Sequence, residues 1–254
     1  MRYYVFESGS KGNCTLIHSG GRYLVIDNGL SIRRFKAHLA SVNVSIDDIP
    51  VVLVTHSHRD HVEGLKAFHP RNIYSTKSTY PLYDVKNELV SYHTYELNGF
   101  KITVLPTSHD VVGSVGFVIE DGGEKLVYIT DTGFIYERVV DYIRDADYYI
   151  FESNYNVKMQ LQTNRPQYLI DRIMGDHGHL SNEDSALYLS EVITSRTKEV
   201  ILAHLSEEAN TPEIALDTFY KIMAKRHVNV NGVNVRCANQ RECVTGGNLE
   251  KECV

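Results

Sequence analysis

One stretch limits what this chain can fold into more than any other: Val51-Val52-Leu53-Val54-Thr55-His56-Ser57-His58-Arg59-Asp60-His61. An apolar run leads straight into three histidines and an aspartate. The run predicts a buried strand. The polar cluster then falls at the strand's carboxyl end, where open α/β sheets place their ligands. Alternation along an extended segment points His56 and His58 the same way. Asp60 and His61 follow where the chain should turn into a helix. Imidazole nitrogens and a carboxylate oxygen converging on one point form a site for zinc or a similar divalent ion. A pattern H-x-H-x-D-H arises by chance in roughly one such sequence in a thousand. A solvated histidine-rich loop is therefore a poor account of it.

The same rule recurs along the chain. The apolar segment Phe100–Pro106 runs into Thr107-Ser108-His109-Asp110, Lys125–Thr130 into Asp131, and Val200–Ala203 into His204. Each residue alone is weak, because a lone buried His after a strand is more often structural. The repetition is what carries weight. The candidate ligands are His56, His58, Asp60, His61, His109, Asp131 and His204, a set that suits two metal ions sharing one carboxylate. Two adjacent divalent ions can clamp an in-line displacement.

Composition bounds the rest. A chain of 254 residues, 43% hydrophobic and 23% charged, is ordinary for a soluble α/β protein with a sizeable core. No apolar run approaches the length of a membrane span, and Met1-Arg-Tyr-Tyr-Val-Phe-Glu7 enters a strand with no secretory core, so a cytoplasmic location and no membrane partner are expected. The net charge of −6 excludes a generally basic nucleic-acid binder, although bound metals would add positive charge at a cleft. Cys14, Cys237, Cys243 and Cys253 form no C-x-x-C pair and are expected as free thiols.

Strands with interleaved helices in each half predict two sheets packed face to face with helices on both outer sides. Cys14–His18 and Tyr23–Asp27 read as a hairpin around Gly20-Gly21, and Val228–Arg236 as another around Asn231-Gly232. A helix is expected from Ser31, a short one over Val62–Phe68, and a helical or irregular piece over Lys77–Val85. Thr211-Pro212 opens a helix to about Arg226. Residues 1–240 are expected as a single domain and 241–254 as a frayed tail.

These residues carry a resemblance. His56-Ser-His58-Arg-Asp60-His61, then His109, Asp131 and His204 in order, resembles the metallo-β-lactamase superfamily. Ser8-Gly-Ser-Lys-Gly-Asn13, Ser108-His109-Asp110, Thr130-Asp131-Thr132-Gly133, Glu152-Ser153-Asn154, Gly178-His179-Leu-Ser-Asn-Glu-Asp184, Ala203-His204-Leu-Ser206 and Asn210-Thr-Pro212 resemble its YycJ/WalJ branch. The similarity runs from about residue 5 to 240. It implies an αββα sandwich with the metals at one edge. His56, His58 and His109 would bind one ion, Asp60, His61 and His204 the other, and Asp131 would bridge. The branch usually has a His after the Glu-Ser-Asn turn, where this chain has Tyr155.

Outside the ligands, His179 stands just before Ser181-Asn-Glu-Asp184, a capping box opening a helix whose N–H groups favour an anion. A His there can hydrogen-bond a phosphate or protonate a leaving oxygen, with Asp60 in a secondary proton role. Ser8–Asn13 could turn backbone amides toward a phosphate. Asn13 and Asn154, within the branch motifs, join His179 as expected substrate-binding residues. The expected function is a phosphodiesterase using two divalent ions, Zn²⁺ or Mn²⁺; the resemblance points to a 5′-to-3′ DNA exonuclease and to a homodimer. A cyclic-nucleotide phosphodiesterase would use the same residues in a closed pocket. A lactone or thioester hydrolase would have no use for His179. A non-catalytic scaffold would be expected to have lost a ligand, and a di-iron electron carrier to be coloured.

Overall fold

The computed structural model describes residues 1–79 and 87–248, so most of the piece expected over Lys77–Val85, and Cys253, lie outside it. Two mixed sheets face each other. The first runs β14-β1-β2-β3-β4-β5-β6, with β1 Arg2–Glu7, β2 Cys14–Ser19, β3 Arg22–Ile26, β4 Val52–Leu53, β5 Ile73–Ser75, β6 Asn87–Glu88 and β14 Val244–Gly247. The second runs β13-β12-β11-β10-β9-β8-β7, with β7 Thr94–Leu97, β8 Phe100–Pro106, β9 Val115–Asp121, β10 Glu124–Ile129, β11 Tyr148–Glu152, β12 Glu199–Ala203 and β13 Asn234–Cys237.

Strand period 2 sorts the side chains into layers. Tyr3, Val5, Leu24 and Ile26 of the first sheet meet Ile102, Val104, Ile201 and Ala203 of the second in the central core. Their neighbours Tyr4, Phe6 and Val25 point outward onto Phe35 and Leu39 of helix α1, Ile32–Ser41. On the other outer face Val200 and Leu202 pack with Val139 and Ile143, Ala186 and Leu189, and Ala215 and Phe219. These come from α3 Glu137–Ile143, α6 Asn182–Val192 and α7 Pro212–Lys225. Of the short helices α2 Arg59–Val62, α4 Val157–Leu161 and α5 Gln167–Met174, α2 carries His61 and α5 accepts His179 N–H on its Ile173 carbonyl. The architecture is the expected αββα sandwich. Caps hold where their chemistry was legible: Ser31, Ser181 and Thr211 accept from Arg34, Asp184 and Ile214 N–H. No described helix is long and apolar enough to cross a membrane.

Three local expectations are corrected. Val228–Arg236 is not a hairpin; Asn234–Cys237 instead pairs parallel to β12. The local Asn-Gly turn signal loses to an open sheet edge that Val235 can join. The helix expected over Val62–Phe68 breaks into α2 and a 3₁₀ turn, Leu65–Ala67, because the chain passes Gly64. A side chain at Gly64 would run into the Leu30 carbonyl and Asn28. The tail does not fray throughout, since Val244–Gly247 pairs antiparallel with β1 and so covers that sheet's edge.

Candidate metal centre

Six strand ends deliver polar side chains to one edge. β3 leads to Asp27, β4 to Thr55–His61, β8 to His109 and β10 to Asp131. β11 ends in Glu152 and β12 leads to His204. Asp27, Asp131 and His204 have left-handed backbone, φ 56°, 57° and 57°. That region is strained for non-glycine residues and is held only where the surroundings fix it. Here it turns each side chain out of the strand direction and into the edge. His56, His61, His109, Asp131 and His204 are buried, while His58 and Asp60 face the open side.

The nitrogens and oxygens converge in four overlapping groups, two of which match the two expected ligand sets. His56 Nε2 lies 3.1 Å from His58 Nδ1, which lies 3.3 Å from His109 Nε2. Donor atoms of Asp60, His61 and His204 gather within 4.8 Å of one another. Asp131 stands between these two sets, with Oδ2 3.4 Å from His61 Nε2 and Oδ1 3.6 Å from His204 Nδ1 and 3.9 Å from His109 Nε2. Asp131 Oδ2 and His204 Nε2 are buried without a hydrogen-bond partner. A buried orphan polar atom costs about 1–3 kcal/mol, and a cation would satisfy both. The donor set and its two orphans fit divalent metal.

The outer nitrogens of five of these rings are tied down. His56 Nδ1 is 3.0 Å from Thr55 Oγ1, His58 Nε2 3.3 Å from Asp110, and His61 Nδ1 2.8 Å from Asp27. His109 Nδ1 is 3.1 Å from the Gly178 carbonyl and His204 Nδ1 3.0 Å from Glu152. Such partners fix the tautomer and leave the inner nitrogen free to ligate. Asp27 itself accepts from Thr55 N–H and Oγ1–H, 2.8 Å each. Sequence reasoning missed Asp27 and Glu152. The same rule of apolar strand then acid, which picked out Asp131, could have found both.

Without metal, protons take the place of the ions. Burial opposes charging His61, but Asp131, Asp27 and Asp60 outweigh it and bring it to about 10. His204 rises to about 9 against burial, through Asp131 and Glu152. Burial would raise Asp131, yet His204, His61, His56 and His109 hold it well below the carboxylate range. Both histidines are thus protonated at neutral pH, and ligation must strip those protons. Metal uptake by the stripped chain at pH 7.5 is expected to release about two protons. Apparent affinity should therefore fall as pH falls. Binding heats measured in buffers of different ionisation enthalpy count the protons, and heats that ignore the buffer would contradict this charge state.

His179 stands beside both ligand sets. Its Nδ1 is 2.8 Å from Glu152 Oε1, and its ring centroid is 5.2 Å from those of His109 and His204. The other two expected substrate contacts are placed differently. Asn13 is fully buried; its amide donates to the Gly9 and Asp60 carbonyls and lies 3.0 Å from His61 Nε2. Asn154 is buried too and donates to the His204 carbonyl at 2.7 Å. Both position ligand-bearing turns, and neither reaches outward. Four amides of the Ser8–Asn13 loop are spent internally: Ser8 donates to Asn239, Gly9 to the Asn13 side chain, Gly12 to Gly9 and Asn13 to Asp60. Tyr155 is buried, and its carbonyl accepts from Asn182 N–H.

The family model described as a beta-lactamase superfamily domain matches residues 22–205. The chain belongs to the metallo-β-lactamase superfamily. It is 30% identical over 244 residues to exodeoxyribonuclease WalJ of Streptococcus pneumoniae, covering 91% of each chain. It is 29% identical over 247 residues to exodeoxyribonuclease YycJ of Bacillus anthracis, covering 91% of this chain and 92% of that one. These relatives place it in the YycJ/WalJ branch. The metallo-β-lactamase fold protein YhfI of Bacillus subtilis superposes with a TM-score of 0.68 at 17% identity, over 96% of this chain and 99% of that one. The strand-end edge described above, with its candidate metal-binding clusters, thus lies in a metallo-β-lactamase fold.

Proposed function

We propose that this chain is a two-metal hydrolase of nucleic-acid phosphodiester bonds, an exodeoxyribonuclease working from the 5′ end of DNA. The observation that carries the reading is the pairing of a seven-donor centre with His179, an imidazole anchored on Glu152 beside both ligand groups. Relatives named as exodeoxyribonucleases support the substrate class. His56, His58 and His109 would hold one ion, Asp60, His61 and His204 the other, with Asp131 shared. The nitrogen and oxygen donors suit Zn²⁺ or Mn²⁺. Bound there, two ions would bring the pKa of water to about 7 and offset charge on phosphoryl oxygens.

The chain's own residues do the remaining work. Glu152 accepts from His179 Nδ1–H and so fixes the ring. Protonated His179 can then give Nε2–H to a phosphoryl oxygen or to the leaving oxygen. Asp27 and Thr55 keep His61 and His56 in the ligating tautomer. Asn13 and Asn154 hold the Asp60 and His204 turns at a fixed separation, which in-line attack requires. On the family resemblance, the enzyme would work in the cytoplasm as a homodimer.

Parallel rates on DNA, RNA and cyclic nucleotides with Mn²⁺ test the reading. DNA is expected to be the best substrate. Ring opening of a cyclic nucleotide with DNA left intact would replace it with a small-molecule phosphodiesterase.

A further inference from the structure

The Ser8–Asn13 loop borders a cavity lined largely by cationic side chains. Its volume is about 460 Å³, and its lining residues are Glu7, Lys11, Arg34, Ala37, His38 and Arg241. Glu7 is buried and already spent on Arg34 and His38. Lys11 forms an exposed pair with Glu207, the kind that is worth little and is readily exchanged. Arg241 is exposed and has no hydrogen bond or ion pair among the described residues. The cavity therefore carries excess positive charge on a chain whose net charge is −6.

Its walls are tied to the candidate metal centre from both sides. Ser8 Oγ accepts from His204 N–H at 2.9 Å, and the Asp60 carbonyl accepts from Asn13 N–H at 2.8 Å. Gln240, next to Arg241, donates to the Leu205 carbonyl at 2.7 Å, and the Asn239 carbonyl accepts from Ser8 N–H at 3.1 Å. The loops that carry Lys11 and Arg241 are thus bonded directly to the loops that carry Asp60 and His204.

We propose that Lys11 and Arg241, on the wall of this cavity, bind a backbone phosphate of the DNA strand, away from the bond being cut. The proposal rests on the nucleic-acid reading above and deepens it. An acidic protein gains nothing from its overall field when it approaches a polyanion, so a few local cations must supply the salt-dependent attraction. Arginine suits this task through its fixed fork of donors.

The test uses the full chain with Arg241→Gln, and with Lys11→Gln as an independent second variant. The probe is a labelled DNA strand of about 12 nucleotides, within the usual site sizes for single strands. Binding by anisotropy to the metal-loaded protein, on a strand with nuclease-resistant phosphorothioate linkages, reads affinity without cleavage. Each variant is expected to bind about three- to tenfold more weakly, with the slope of log affinity against log salt reduced by about 0.7–1. With Mn²⁺, kcat/KM on the strand should fall by the same factor relative to bis(p-nitrophenyl) phosphate, which is too short to span both sites. Unchanged strand affinity and salt slope in both folded variants would overturn the proposal. So would competition by inorganic phosphate that Arg241→Gln abolishes while strand binding stays intact, since that marks a free-phosphate site. Strand binding that depends on Arg241 without any cleavage would keep the pocket and remove the exonuclease reading. Strand cleavage indifferent to both substitutions would do the reverse.

Discussion

On the proposed two-metal reading, Asp131→Asn is expected to cost at least one ion and about 10³-fold or more in kcat. Asn tolerates left-handed backbone nearly as well as Asp, so the φ of 57° at this position survives and the change isolates the carboxylate charge. That charge faces His61, His109 and His204 within 3.9 Å. It is also among the groups that lift His61 and His204. An amide cannot bridge two cations, and its N–H₂ would turn donors toward imidazole nitrogens that must act as acceptors. Elemental analysis after gel filtration, run beside the steady-state rate, measures both effects. A variant with full metal content and wild-type rate would remove Asp131 from the shared position.

His179→Ala is expected to lower kcat on DNA by about 10²–10³-fold with metal content unchanged. His179 lies outside the seven donors, and its Nδ1 is already engaged by Glu152 at 2.8 Å. What it offers is a proton donor at Nε2. The leaving group decides which oxygen receives that proton. A deoxyribose alkoxide needs protonation, whereas p-nitrophenolate leaves without it. If His179 is the acid, bis(p-nitrophenyl) phosphate should lose far less rate than DNA. Equal losses on the two substrates would assign His179 to binding phosphoryl oxygens. Loss of metal would make it structural.

The candidate centre was legible in sequence because its candidate ligands obey a local rule. An apolar strand followed by His or Asp picks out His56, His109, Asp131 and His204 within a few residues each, and the structure brings them to one edge. Asp27 and Glu152 follow the same rule but stand as single acids, and their meaning comes from partners 34 and 27 residues away, His61 and His179. Asn13 and Asn154 lay in the right turns. Burial, which no local pattern discloses, sets them to hold the Asp60 and His204 loops. Edge pairing was equally hidden. Asn231-Gly232 gave a sound turn signal, yet the strand after it pairs with β12. The segment Val244–Gly247 finds β1 from the far end of the chain. Local chemistry marks the strand ends, while long-range pairing decides which strands lie side by side.

The most direct test of the account is product release from DNA labelled at its 5′ end, using protein stripped of metal and reloaded with Mn²⁺. Label is expected to appear as mononucleotide from the earliest time points, only after reloading, while a 3′-labelled copy shortens stepwise. Label retained on a 5′ fragment that shrinks from its other end would reverse the polarity. Intact DNA under conditions where the metal is bound would contradict the nucleic-acid assignment itself.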